Sequence, residues 1–208
     1  RYISNHSSGK MGYALARAAM EAGANVVLIS GPVALEPPPR VKVVVVESAS
    51  QMLDSCKVVP GDIFISVAAV ADYRPAQSAT EKIKKTEDTM ILTMVKNPDI
   101  LATLSLSKDR PFCVGFAAET ENLEEYACKK LQDKKLDLIF SNNASDTFNS
   151  DSALVTAYWN AEKNTGKKVF EESTKSSLAR DMVALISSRY RETAEPLSKV
   201  PEQTVAEK

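Results

Sequence analysis

The 208-residue chain predicts a doubly wound α/β fold with a mostly parallel sheet, helices on both faces and a C-terminal antiparallel hairpin. Three observations support this prediction. Short β-branched and apolar runs recur along the chain, amphipathic helical segments separate them, and polar residues join two strand-like runs near the C-terminus. Continuous apolar strands that alternate with helices are typical of parallel sheets buried on both faces.

The first third of the chain predicts two helices and three strands. Residues 9–23 repeat apolar and small residues at helical spacing and end at Gly23, which favours a helix packed closely on a sheet. Residues 41–46 are too β-branched for a preferred helix. In order, we predict helix 9–23, strand 25–30, strand 41–46, a helix near 48–58 and buried strand 62–70.

The alternation continues after a polar stretch. Residues 71–88 hold proline, serine, threonine and lysines without an apolar period, which predicts a long mobile loop. Pro98 suits the first helical position. We then predict strand 90–95, a helix opened by 97–99, strand 112–117, helix 122–134, strand 136–140, a hairpin of 153–159 and 168–172, and helix 173–190. Residues 1–190 are thus predicted to form one domain, and residues 191–208 a disordered tail.

Charge and residue counts exclude several classes of function. The formal net charge of -1 provides no overall basic field for nucleic acid or an anionic membrane. Without a membrane-length apolar run or the apolar core of a secretory signal, the expected location is the cytoplasm. The 3 cysteines contain no C-x-x-C and there is 1 histidine, so thiolate and histidine-cluster metal sites are not indicated. Catalysis is therefore expected from carboxylates, amides, lysines or a bound cofactor.

The expected ligand position in such a Rossmann-like fold is the edge beyond the carboxyl ends of the strands, at helix N-termini that favour anions. Residues 4–10 precede the first helix, where they bind an anion or form only a serine N-cap with a glycine turn. They match neither a P-loop nor a complete G-x-G-x-x-G. Asp72 leaves a buried strand, and its carboxylate either meets a ribose hydroxyl or base amine or only shapes the turn.

Lysines and one aromatic residue are further candidates. Residues 81–85 are either a solvated charge run or a loop that closes over a polyphosphate and neutralises charge on the α-phosphate and a leaving pyrophosphate. Phe116 either lies against a base or belongs to the core. Lys130 and Lys134 share one helix face, where they reach phosphate together or remain solvated.

Seven segments, taken in order, carry a resemblance to a known family: RYISNHSSGKMGYALA, GANVVLISGP, AAVADYRP, EKIKK, MVKNPDIL, VGFAAET and LDLIFSNN. Through them the chain resembles bacterial phosphopantothenoylcysteine synthetases over nearly its whole length, up to about residue 190. Such a domain is usually the C-terminal half of a bifunctional coenzyme A biosynthesis protein whose N-terminal half is a flavin-dependent decarboxylase.

The resemblance implies a CTP-dependent ligation in two steps. The carboxylate of 4'-phosphopantothenate attacks the α-phosphate of CTP to give an acyl-cytidylate and pyrophosphate, and the amino group of cysteine then displaces CMP to form 4'-phosphopantothenoyl-L-cysteine. Mg²⁺ is implied with the nucleotide, together with a homodimer, and FMN only in the decarboxylase half. Family members begin with a strand before the Arg-Tyr-Ile-Ser-Asn motif, whereas this chain opens at Arg1, so we expect the first strand and part of the substrate floor to be missing.

The resemblance also implies roles for single residues. Asn5 matches the asparagine that handles the acyl-cytidylate, where a neutral amide can donate to a developing oxyanion. Lys82, in the lysine stretch of the CTP-using bacterial type, is the second expected catalytic residue. The expected substrate-binding residues are Arg1, Asn5, Ser7, Ser8 and Gly9. The expected CTP-binding residues are Ser66, Asp72, Lys82, Val95, Lys96, Asn97, Pro98, Phe116, Lys130 and Lys134.

Two other functions remain open from the sequence. The small-residue first helix and the alternating strands also suit an NAD(P)-dependent Rossmann-fold reductase, although the glycine fingerprint is incomplete. A chain without the family's first strand could alternatively bind nucleotide or dimerise without turnover.

Overall fold

The computed structural model describes residues 5, 7–77, 79, 81, 83–84, 88–119, 121–143, 152–161 and 164–194. The predictions for Arg1, Lys82 and residues 195–208 lie outside these residues. The elements, in chain order, are α1 Lys10–Glu21, β1 Val27–Ser30, β2 Lys42–Val45, α2 Ala49–Val58, β3 Ile63–Ile65, β4 Tyr73–Pro75, β5 Met94–Lys96, α3 Ile100–Ser105, β6 Phe112–Glu119, α4 Leu123–Asp133, β7 Leu138–Asn143, β8 Ser152–Ala153, β9 Val155–Ala161, β10 Asn164–Val169, β11 Ser173–Thr174 and α5 Lys175–Ala194.

The central sheet has five strands in the order β10-β9-β7-β6-β3. β3, β6 and β7 run parallel to one another, while β9 and β10 add an antiparallel hairpin at one edge. β1 and β2 form a separate parallel pair. The predicted α/β fold with a mostly parallel sheet and a C-terminal hairpin is confirmed.

Helices cover both faces of this sheet. Successive residues of a strand point to opposite sides, so β6 and β7 pack side chains against both helix layers. On one face, apolar residues of β6 and β7 pack with α1 and α5, whose contacts include Leu15, Leu178 and Met182. On the other face, Cys113 and Ile139 pack with residues of α3 and α4. Gly115 of β6 permits close approach on that second face, since a Cβ there would lie 2.7 Å from Leu136 Cδ1.

The region between β3 and α3 differs from the prediction. β3 ends at Ile65; the Ser66 backbone nitrogen still bonds β6, and residues 67–70 do not extend the strand as predicted. The predicted loop 71–88 contains β4, which pairs antiparallel with β5. Residues 90–92 belong to no strand, and Ile91 is 97% exposed. The apolar composition of residues 90–95 predicted a strand of the central sheet. In the structure β3 pairs with β6, and β5 pairs with β4, outside that sheet.

Two helix boundaries also differ. Asp99 is the N-cap of α3, so Pro98 precedes the cap and is not the first helical residue. α5 continues to Ala194, which shows that residues 191–194 are helical and not part of a disordered tail. Among the residues that the structure describes, no helix is both long and apolar enough to cross a membrane.

Candidate functional site

The start of α1 lies at the carboxyl end of β3. Gly12 faces Val67, which follows β3, because a Cβ on Gly12 would lie 3.9 Å from Val67 Cβ. Asn5 Nδ2 donates to the carbonyl oxygen of Ala69, and Asn5 Oδ1 accepts from the backbone nitrogen of Ser7 at 2.9 Å. Residues 5 and 7–9 therefore lie at the sheet edge at which the sequence predicts a ligand.

Gly9 is the N-cap of α1 and lies in the left-handed region, with φ 76°. A Cβ at this position would lie 3.0 Å from Val33 Cγ1, so both conformation and space favour glycine. The cap makes no side-chain hydrogen bond to the helix, although the backbone nitrogen of Lys10 contacts Ser8 Oγ at 3.5 Å. The N-cap residue is therefore Gly9 and not a serine, although Ser8 Oγ accepts from the first nitrogen of the helix; anion binding at this helix start stays a prediction.

Residues 68–72 are held from two sides. Asn5 binds the carbonyl oxygen of Ala69, as described above. From the other side, Asn97 Nδ2 donates to the Ala71 carbonyl oxygen at 2.8 Å, and the Asn97 backbone nitrogen donates to the Asp72 carbonyl oxygen at 2.7 Å. Hydrogen bonds thus join Asn5, residues 69–72 and Asn97, which come from three separate motifs of the sequence. The Asp72 side chain is exposed at this junction.

Arg74 supports this junction and was missed from the sequence. Its Nη1 donates to the Lys96 carbonyl oxygen at 2.7 Å and to Asn97 Oδ1 at 3.1 Å. The pairing of β4 with β5 places Arg74 opposite Val95 and brings the guanidinium within reach of the next residues. The available signal was an arginine two residues after Asp72 in the motif AAVADYRP.

The two predicted lysines at the C-terminal end of α4, Lys130 in its last turn and Lys134 as its C-cap, lie beside the start of α3. Lys130 Nζ donates to the Phe116 carbonyl oxygen at 2.8 Å, and Lys134 Nζ lies 2.6 Å from Asp99 Oδ2. Asp99 Oδ1 also accepts from the Ala102 backbone nitrogen at 2.9 Å. Burial raises the pKa of Asp99, but the Ala102 hydrogen bond and the two ammonium groups outweigh it and lower that pKa below its ordinary value.

Asp99 is the second residue that the sequence reasoning did not assign to the site. Its signal was the Asn-Pro-Asp sequence before an apolar run, which is typical of a helix N-cap. Its carboxylate is ionised at neutral pH and neutralises part of the charge on Lys134. An incoming phosphate would therefore compete with Asp99 for this ammonium group.

The other predicted residues lie on the backbone that carries these groups. Phe116 is half-buried, and its ring packs 5.3 Å from that of Phe140, as the core alternative predicts. Ser66 is half-buried directly after β3, and its backbone nitrogen donates to the Val114 carbonyl oxygen at 2.9 Å. The contacts therefore define one group of Asn5, Asp72, Arg74 and Asn97, and a second group of Asp99, Phe116, Lys130 and Lys134. Residues 97–99 connect the two groups.

The cysteines supply no reactive thiolate. Burial raises the pKa of both Cys56 and Cys113 to about 11, and it also raises the pKa of Cys128. A thiol with so high a pKa stays protonated and unreactive at neutral pH. The side chains described above at this edge are amides, carboxylates, a guanidinium and ammonium groups.

Comparison with known proteins identifies the family. Residues 1–190 match the model of the DNA/pantothenate metabolism flavoprotein C-terminal domain. The coenzyme A biosynthesis bifunctional protein CoaBC of Vibrio vulnificus is 50% identical over 196 residues, which cover 90% of this chain and 48% of that protein. The CoaBC protein of Escherichia coli is 49% identical over 201 residues, or 92% of this chain and 48% of that protein. The chain thus spans about half the length of these relatives.

Solved structures agree with this result. The crystal structure of the C-terminal domain of a CoaBC protein has a TM-score of 0.75 and 38% identity, and the match covers 92% of this chain and 88% of that one. The DNA/pantothenate metabolism flavoprotein of Streptococcus pneumoniae has a TM-score of 0.71 with 22% identity, covers 90% and 91% of the two chains, and so supports the fold. The resemblance found in the sequence is confirmed. The chain belongs to the family of DNA/pantothenate metabolism flavoprotein C-terminal domains.

Proposed function

We propose that this chain is a CTP-dependent phosphopantothenate–cysteine ligase domain of coenzyme A biosynthesis. The observation that carries the proposal is the junction at the carboxyl edge of the sheet, where Asn5 and Asn97 hold residues 68–72 between them. Support also comes from relatives that are named as coenzyme A biosynthesis proteins and share about half their length with this chain.

The first step forms a mixed anhydride. A carboxylate oxygen of 4'-phosphopantothenate bonds to the α-phosphorus of CTP, and the bond from that phosphorus to its bridging oxygen breaks and releases pyrophosphate. Lys130 and Lys134 are suited to neutralise phosphate charge, because α4 presents both ammonium groups near the start of α3. Lys82 would assist the same step, and we expect Lys82→Ala to abolish acyl-cytidylate formation.

The second step forms the amide. The nitrogen of cysteine bonds to the acyl carbon, the bond from that carbon to the CMP oxygen breaks, and the amine proton passes to solvent. Asn5 Nδ2 carries two hydrogens and gives one to Ala69, which leaves the second for a developing oxyanion. The Ser7 nitrogen at Oδ1 fixes the amide in this orientation.

Mg²⁺ would enter with the nucleotide. Within the described part of the chain, no group of three or more His, Cys, Asp or Glu side chains could hold a metal ion. Mg²⁺ is commonly held by substrate phosphates and only one or two carboxylates, and the exposed Asp72 is available as one of these. Asp72 would then help to hold the magnesium ion of MgCTP, which enters as a substrate.

A homodimer is part of the proposal. Met90 is 67% exposed and Ile91 is 97% exposed, and both precede β5, which forms a two-stranded ribbon with β4. A second copy packed against these side chains would remove apolar surface from water. Sedimentation velocity should then show a dimer, and Ile91→Asp should shift it toward the monomer. A monomeric wild-type protein would contradict this part of the proposal. We also propose a flavin-dependent decarboxylase, fused or associated, as a partner of this chain. It would correspond to the half of the CoaBC relatives that this chain does not span.

The test of the ligase omits one substrate at a time. With CTP, 4'-phosphopantothenate and cysteine present, mass spectrometry should detect the amide product, and pyrophosphate release should require phosphopantothenate but not cysteine. CTP turnover that is unchanged without phosphopantothenate would reject the proposal. Calorimetry that shows CTP binding without turnover would favour the non-catalytic alternative, and an absorbance change on NADPH titration would favour the reductase.

A further inference from the structure

We propose that Arg74 is a positioning residue of the nucleotide site, which acts by holding the side-chain amide of Asn97 in one orientation. The inference rests on the proposed function, because it assigns a purpose to a contact beside residues expected to bind CTP. Arg74 itself is not among those expected contacts.

The contact consists of four hydrogen bonds in a chain. Arg74 Nη1 donates to both the Lys96 carbonyl oxygen and Asn97 Oδ1, at 2.7 and 3.1 Å. Asn97 in turn donates from Nδ2 to the Ala71 carbonyl oxygen and from its backbone nitrogen to the Asp72 carbonyl oxygen, at 2.8 and 2.7 Å. The Asn97 side-chain amide therefore couples the guanidinium to the Ala71 carbonyl, and the Asn97 backbone nitrogen bonds the next residue, Asp72.

The Arg74 guanidinium and the Ala71 carbonyl together permit only one orientation of the Asn97 side-chain amide. A guanidinium only donates hydrogen bonds, and a backbone carbonyl only accepts them. Turning the Asn97 amide by 180° would place its NH₂ group against Arg74 and its oxygen against the Ala71 carbonyl, so both bonds would be lost. Both hydrogen bonds of Arg74 leave the same nitrogen, Nη1, which the planar guanidinium holds in place. A lysine Nζ ends one bond closer to the backbone and is less rigidly held, so it would not reach Lys96 and Asn97 with the same geometry.

We expect this arrangement to affect binding of the base and ribose of the nucleotide. Arg74 orients Asn97, which holds the backbone of residues 71–72, from which the exposed Asp72 carboxylate extends. Pre-ordering these residues removes a conformational cost that binding would otherwise carry. This role predicts an equal benefit for CMP and CTP, since both carry the same nucleoside.

A direct contact from Arg74 to phosphate is the competing explanation. Only Nη1 carries the two bonds described above, and the residue is exposed, so its other nitrogens could meet an anion. In that case the loss on removing Arg74 would grow with the number of phosphates. The two roles therefore differ in a measurable way.

The experiment measures CMP and CTP dissociation constants by calorimetry for the wild type, Arg74→Ala, Asn97→Ala and the double variant, with Lys108→Ala as an exposed control. We expect Arg74→Ala to weaken both nucleotides by the same factor, about tenfold, as for one hydrogen bond near a charge. The double variant should bind no more weakly than Asn97→Ala, because the two residues act as one unit.

Arg74→Lys keeps the inference testable if Arg74→Ala does not fold. A positioning role predicts that most of the loss remains in Arg74→Lys, because the lysine side chain is one bond shorter than the path to Nη1 and holds its donors less rigidly against the two acceptors. Preserved affinity in Arg74→Lys, a loss larger for CTP than for CMP, or additive effects in the double variant would overturn the inference while leaving the ligase proposal intact. A wild-type protein that binds neither nucleotide would overturn the proposed function itself.

Discussion

β6 and the ribbon of β4 and β5 are both built from strand-forming residues, yet different interactions hold them in place. Cys113 and Val114 of β6 are fully buried, one on each face of the sheet. In the ribbon, Tyr73 and Val95 are exposed, and the neighbouring residues are fixed by hydrogen bonds from Arg74 and Asn97. Apolar burial therefore stabilises the central sheet, whereas side-chain hydrogen bonds to backbone shape the site.

The largest effect that would test this comparison is on stability. Phe140 is completely buried and packs between Phe116 and Phe170. We expect Phe140→Ala to lower the free energy of unfolding by about 3–5 kcal/mol, because it removes buried apolar area and leaves a cavity. Val95→Ala in the ribbon is the matched control and should cost less than about 1 kcal/mol. Urea denaturation measures both, and equal costs would contradict the comparison.

The next largest effect is on catalysis. Asn5→Asp replaces an amide that can donate to an oxyanion with a carboxylate that cannot. We expect the rate of amide formation to fall by about 10²–10³, with accumulation of the acyl-cytidylate. Quenched-flow mass spectrometry follows the intermediate, and Asn25→Asp at an exposed position is the control. Loss of both steps together would show that Asn5 does not act mainly in the second one.

A smaller effect would sharpen the comparison by separating binding from stability. Lys134→Ala removes an ammonium group proposed to meet phosphate, so we expect the KM for CTP to rise about tenfold. The ion pair with Asp99 is partly exposed, and its loss should change the free energy of unfolding by less than about 1 kcal/mol. Lys129→Ala, on an exposed part of the same helix, should change neither quantity. A normal KM with a large loss of stability would reverse the assignment.

The smallest expected effect is a pH dependence at Asp99. Because folding lowers the pKa of this carboxyl, its ionised form stabilises the folded chain above the unfolded-state pKa, and that contribution is lost as the pH falls through the folded-state pKa. Asp99→Asn retains an N-cap side chain but removes the charge. The difference in unfolding free energy between wild type and variant should therefore shrink as the pH falls from about 6 to 3. A difference that stays constant over this range would contradict the charge effect.

Local sequence patterns predicted much of the fold. α2 begins where expected because Ser48 and Gln51 form a capping box, and α1 is followed by Gly23 with φ 90°. β6 and β7 were recognisable because their residues are apolar on both faces. The ribbon of β4 and β5 could not be recognised in this way. Residues 90–95 have the apolar composition of a buried strand, yet several of their side chains are exposed.

Helix periodicity, β-branching and caps act over a few neighbouring positions, so the sequence was sufficient to predict the helices and the strands β6 and β7. Its motifs were sufficient to identify the family. The contacts between motif residues could be read only from the folded chain. Arg74 and Asn97 are 23 positions apart, and Lys134 reaches Asp99 from a different helix. Such contacts depend on the pairing of β4 with β5 and on the packing of α3 and α4 over one face of the sheet, which no local pattern encodes.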